Sequence, residues 1–255
     1  MDRDAYLDSL RADRARFAAL GGPMEAEDER LDLTVPTCPD WTLAELLTHL
    51  GRIHRWAMDS SKLAPDASFP RLGPRPDADA DVLGWLTDGL DELIEDLGST
   101  DLDAACWTFA GPGTRRFWLR RQAMETAVHR YDAEITLGTP DPVAADIAAD
   151  GVDEWLDLEA GRWYKGRPEI SGTIHLHATD PIEEGTGADG SGEWFIQVDA
   201  ARLHWNHGHE KGDVAVRASR SELFLLAWRR REASDLEVFG DAELLDAFLH
   251  QTQVS

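Results

Sequence analysis

The chain has 255 residues, 42% of them hydrophobic and 8% aromatic, enough for one large domain or two ordinary ones and against intrinsic disorder. Its 49 acidic residues outnumber 25 basic ones, and the formal net charge of −24 repels phosphate backbones, which excludes nucleic acid as a partner. No apolar run is long enough to cross a bilayer, and the charged start "MDRDAYLDSLRADRARF" lacks a signal-peptide core, so a cytoplasmic protein without a membrane partner is expected.

Residues 3–20 read as an amphipathic helix through Tyr6, Leu10, Phe17 and Leu20, ended by Gly21-Gly22-Pro23. Cys38, in "VPTCPDWT", and Cys106 are far apart and have no CxxC partner. Neither a disulfide framework nor a cysteine zinc site follows, and Cys38 reads as a small semi-buried filler. Thr42-Leu-Ala-Glu45 is a capping box that opens a second helix through Leu46, Leu47, Leu50, Ile53 and Trp56. The Pro- and Asp-rich residues 64–81 form a loop, a third helix covers about 80–97, and a fourth covers about 114–137, stopping near Gly138-Thr-Pro140. Four such helices make a bundle.

A fifth helical segment, 142–162, precedes a change of period towards two. "GTIHLHATD", "EWFIQVDA", "RLHWNHG" and "DVAVRAS" read as strands. The turn-rich "GTGADGSG" at 185–192 lacks the Lys-Ser/Thr of a phosphate-binding loop. A helix at 219–230, a strand at 235–239 and a helix at 241–250 close the chain. The expected fold class is α+β: a four-helix bundle over 1–145, then a smaller α+β domain over 146–255.

On the fourth helix, Phe117, Met124, Val128, Tyr131 and Ile135 share one face, and Arg121, Glu125, His129 and Asp132 make a polar stripe along its edge. Glu125 and His129, four apart, can converge on one point. The pair by itself reads better as a solvated surface pattern than as a ligand pair, and two ligands do not hold zinc. A histidine on an apolar face is most often a core residue with one hydrogen bond, but His49 would also supply a third ligand. It lies between Leu46 and Leu50 on the apolar side of its helix and points into the same interior. Two histidines and a glutamate are the ligand set of an open zinc site, with a fourth position for water or substrate. His54, five residues on, is expected at the surface. His175 and His177 alternate on one strand and His204, His207 and His209 cluster nearby, but no acid or cysteine has ligand spacing with them, so they read as a polar sheet face or pocket lining.

"VPTCPDWTLAELLTHLGRIHRW" and "GTRRFWLRRQAMETAVHRYDAE" resemble the two signature helices of the mycothiol-dependent maleylpyruvate isomerase family, and "SELFLLAWRRREASDLEVFGDAELLDAFL" is similar to its second domain. The resemblance covers nearly the whole chain. It implies a DinB-like metal-binding bundle followed by a sterol-carrier-like α+β domain. It implies His49, Glu125 and His129 as the zinc ligands, and Arg230 as an arginine that handles substrate. The family's glycine before that arginine is replaced by Arg229, and Met124 stands where many relatives have histidine.

The resemblance also implies mycothiol, an external thiol, as the cofactor beside zinc or another divalent metal. A metal-bound thiol is deprotonated, and a thiolate is the reactive nucleophile. In an isomerase it adds to an activated cis double bond, the resulting single bond rotates, and elimination restores the thiol. In an S-transferase it attacks an electrophile and the conjugate leaves. Arg230 would clamp a substrate carboxylate. Arg121 and Asp132 are candidate catalytic residues in support of the metal site, with Asp132 orienting His129 through its other ring nitrogen. The partners are then a small thiol and a small electrophile. The alternatives are a non-catalytic metal-binding or regulatory module, and a zinc hydrolase, for which no general base stands spare.

Overall fold

The computed structural model describes residues 1–25, 28–77, 80–138, 140–162, 170–181 and 192–252. The chain divides into two units, Asp2–Asp141 and Pro142–Ser255.

In the first unit Asp2 caps helix α1 (Arg3–Ala18) by accepting from Ala5 N at 2.9 Å, and Tyr6, Leu10 and Phe17 form its buried stripe. Helix α2 (Leu43–Ser60) opens on the capping box read from the sequence. Thr42 Oγ1 accepts from Glu45 N at 3.3 Å, and the Glu45 carboxylate accepts from Thr42 N at 2.8 Å. Helices α3 (Val82–Ser99) and α4 (Arg115–Thr136) complete the set. Both α1 and α2 pack against α3 and α4, so the four close into a bundle. At Gly51 of α2 a Cβ would lie 2.3 Å from the Trp85 ring of α3, so only glycine allows this approach. Between Trp118 and Glu134, α4 is buried on almost every side, which forces its polar side chains to find partners inside the bundle.

Two short ribbons were not expected from the sequence: β1 (Thr34–Val35) with β2 (Cys38–Thr42), and β3 (Ala105–Cys106) with β4 (Gly113–Thr114). Strands this short carry no readable period. The first ribbon lies against α2 and α4 and so brings Thr37 and Trp41 to the middle of the bundle.

The second unit begins with α5 (Ala145–Arg162) and continues with β5 (Gly172–Ala178), β6 (Glu193–Val198), β7 (Leu203–His207), β8 (Val214–Ala218), α6 (Arg220–Ala227), β9 (Glu237–Gly240) and α7 (Ala242–Gln251). The sheet order is β7-β6-β5-β8-β9, antiparallel except for the parallel β5–β8 pair. Ile174, Leu176, Trp194, Ile196, Val214 and Val216 are buried on one face, where α5, α6 and α7 pack. The other face carries His175, His177, Glu193 and Phe195. The fold is α+β, as read from the sequence. The Gly-rich stretch 185–192 lies, apart from Gly192, outside the described residues.

Helix α6 stops three residues short of its expected end. Trp228 is the C-cap, and Arg229 follows with φ +63°, the left-handed region. Arg229 N bonds Leu226 O at 3.0 Å and Arg230 N bonds Leu225 O at 2.7 Å, the two hydrogen bonds of a Schellman ending. This is the position where the resemblance implies glycine. The backbone is in a region that favours glycine although the residue is arginine.

Candidate metal centre

His49 sits in the middle of α2, and Glu125 and His129 stand one turn apart on α4. Glu125 Oε1 lies 3.4 Å from His49 Nε2 and 3.3 Å from His129 Nε2. The three donor atoms all fall within 4.8 Å of one another. Ligands 2.0–2.1 Å from a tetrahedral ion are separated by roughly 3.3 Å, so the two measured separations match the edge of such a polyhedron. The nitrogen and carboxylate donor types suit a divalent transition metal.

Each donor is held by a neighbour. Arg121 Nη2 donates to Glu125 Oε2 at 3.0 Å, which leaves Oε1 turned to the imidazoles. His129 Nδ1 donates to Asp132 Oδ2 at 2.8 Å, and Thr37 Oγ1 donates to Asp132 Oδ1 at 2.6 Å. A proton on Nδ1 makes Nε2 the free lone pair, and Nε2 is the atom aimed at the site. Trp41 packs its indole on His49, with ring centroids 4.7 Å apart, and reaches His129 at 6.2 Å.

The charges follow from this geometry. Burial alone would raise the Glu125 carboxyl, but hydrogen bonds from His129 and His49 and the Arg121 charge outweigh it and hold the group well below the usual carboxylate range. Burial alone would lower His129, yet its bonds to Asp132 and Glu125 raise it above an ordinary imidazole.

Of the residues singled out in the sequence, five meet at this site: His49, Glu125 and His129, with Arg121 and Asp132 beside them. Arg230 belongs to the C-terminal unit, where its Nη1 donates to Trp228 O at 2.7 Å. Arg231 donates to Glu222 Oε1 at 3.4 Å. Thr37 and Trp41 join the site without any ligand-type signal in the sequence. The one signal for them was their place in the "VPTCPDWT" motif.

Two expectations need correction. His54 is not at the surface but fully buried, with Nε2 3.0 Å from Thr126 Oγ1. Because Thr126 Oγ1 already donates to Gln122 O at 2.6 Å, His54 Nε2 carries the hydrogen and Nδ1 is left without a partner. Burial drives its pKa down to about 3, so the ring is neutral. Second, His175 and His177 do have an acidic companion. Glu193 is the partner of His177 across β5 and β6, a pairing that no spacing along the chain displays.

Cys106 is buried and its thiol is pushed up by burial, and neither cysteine belongs to a metal-competent group among the described residues.

Residues 10–134 match the mycothiol maleylpyruvate isomerase N-terminal domain, and residues 146–247 match the MDMPI C-terminal domain. No curated protein matches the chain. Among solved structures, a mycothiol-dependent maleylpyruvate isomerase is similar at 15% identity and a TM-score of 0.54, covering 93% of both chains. A mutant form of such an isomerase is similar at 13% identity and a TM-score of 0.58, with the same 93% coverage of each. At those identities the likeness concerns the fold. With both of its domains matched over nearly their whole length, the chain belongs to the mycothiol-dependent maleylpyruvate isomerase family.

Proposed function

We propose that this protein is an enzyme that uses an external thiol, mycothiol by family, together with one divalent metal, zinc by ligand type, to attack a small electrophile. The observation that carries the reading is the convergence of His49 Nε2, Glu125 Oε1 and His129 Nε2 within 4.8 Å. Three protein ligands leave a tetrahedral ion one open position. A divalent ion held by two neutral imidazoles and one carboxylate keeps net positive charge and stabilises a bound thiol as its thiolate at neutral pH.

The chain's own residues prepare that site. Arg121 keeps Glu125 ionised and turned inward, Asp132 presents the His129 lone pair, and Trp41 walls the imidazoles. The electrophile is proposed to be a maleylpyruvate-type cis alkene, for which the thiol supplies reversible addition, or a substrate that leaves as the conjugate. Arg230 is the proposed carboxylate clamp, by a bidentate hydrogen bond. The absence of cysteine from the metal-competent groups described supports a thiol that comes from outside.

Purified wild-type protein should lose a model electrophile only when mycothiol is present. His49→Ala and Glu125→Gln should abolish that turnover and lose the metal of this site by elemental analysis. Turnover that survives His49→Ala would sink the reading. Metal bound without turnover under any thiol would leave only a binding module.

A further inference from the structure

The C-terminal unit gathers a second set of ligating side chains, and the case for it does not depend on the function proposed above. His175 and His177 are two apart on β5 and share the face opposite the buried Ile174 and Leu176. Glu193 is the direct cross-strand partner of His177. His209 lies two residues past β7. Gly208 N donates to Glu193 O at 3.2 Å, one step beyond the β6–β7 pairing, and the next residue, His209, sets its Nδ1 against Glu193 Oε1.

The donors converge. His177 Nδ1 is 2.6 Å and His209 Nδ1 is 3.0 Å from Glu193 Oε1, and His175 Nε2 pairs with Glu193 Oε2. One ligand atom from each of the four residues falls within 4.8 Å of the others. The rings stand edge to face, with centroids 5.1 Å apart for His175–His209 and 5.9 Å for His177–His209, so the nitrogens point inward instead of stacking. With neutral imidazoles the set has a single negative charge, and three nitrogens with one carboxylate oxygen suit zinc and its neighbours rather than calcium or magnesium. A pocket of about 690 Å³, lined by His175, His209, Lys211, Asp213 and Phe239 among others, opens beside it and gives an ion a way in.

We infer that His175, His177, Glu193 and His209 form a second divalent transition-metal site, closed by four protein ligands and structural in role. Four ligands leave no position for substrate. The ion would tie the segment after β7, where His209 is 74% exposed at the side chain, to β5 and β6. In its absence the same residues form a hydrogen-bonded cluster on the Glu193 carboxylate.

The test uses untagged full-length protein, stripped with chelator and titrated with Zn²⁺, and with Co²⁺ read by its visible absorption. Wild type should bind two equivalents, His49→Ala one, and His49→Ala with His177→Ala none. Zn²⁺ should raise the melting temperature of the His49→Ala protein, and this shift should vanish when Glu193→Gln is added. Glu193→Gln preserves side-chain shape and stands in for His177→Ala should that variant not fold. His204→Ala, on β7 outside the cluster, should leave the stoichiometry at two. If the His49→Ala protein binds no Zn²⁺, or binds it equally with and without Glu193→Gln, the second site does not exist and the cluster is held by hydrogen bonds only.

Discussion

Asp132 shows what a single carboxylate contributes. It is wholly buried, takes one hydrogen bond from Thr37 and one from His129, and through the second selects which imidazole nitrogen faces Glu125. Asp132→Asn keeps the shape but removes the charge that makes the ring a better donor. Metal affinity at this centre should fall by about 10- to 100-fold, the usual cost of losing such a partner, as read by competition with a coloured chelator. Unchanged affinity would reduce Asp132 to packing. His54 makes a separate point about burial. Its folded pKa, about 3, lies below the unfolded value of 6.5, so its contribution is fully present above pH 6.5 and is lost as pH falls towards 3. At pH 5 the unfolded chain takes up a proton that the folded one refuses, a loss of about 2 kcal/mol relative to pH 7. His54→Leu removes that uptake, and Thr126 keeps its bond to Gln122 O. Urea midpoints should therefore fall less between pH 7 and pH 5 in the variant. Equal falls in both proteins would contradict a neutral buried ring.

Helices were the most legible elements. The α2 start was readable because a capping box is a local device, complete within four residues. The end of α6 was not, because nothing in "LAWRRREA" signals a stop: glycine normally marks one, and here Arg229 adopts the left-handed backbone in its place. That strain makes a prediction. Arg229→Gly should stabilise the protein by about 1 kcal/mol, since glycine enters that region without the Cβ penalty, and the Schellman hydrogen bonds of Leu225 and Leu226 are retained. A thermal melt checks it, and a lower melting temperature would show that the Arg229 side chain outweighs its backbone cost. The short β1–β2 ribbon is the opposite case. It has too few residues for a period, yet it delivers Thr37 and Trp41 to the candidate metal ligands and their partner Asp132.

Across the whole chain, the order of the helices and of the sheet strands, the α+β class and the three candidate ligands on α2 and α4 could be read from residue spacing, capping and family pattern. Each depends on neighbours within a few positions along the chain, where 3.6- and 2-residue periods dictate which side chains share a face. What spacing cannot reveal is which faces meet. His49 and Glu125 are 76 positions apart, and their 3.4 Å separation exists because α2 and α4 pack against each other. The same holds for His54 and Thr126, 72 apart, and for Glu193 among His175, His177 and His209. A helix position five residues from a ligand looks outward on a helical wheel, but in a bundle the next helix covers it. Pairing across β5 and β6 likewise joins His177 to an acid on another strand. Local chemistry chose the ligands, and long-range packing chose their company, because burial and cross-strand register are properties of surfaces in contact and not of any one segment.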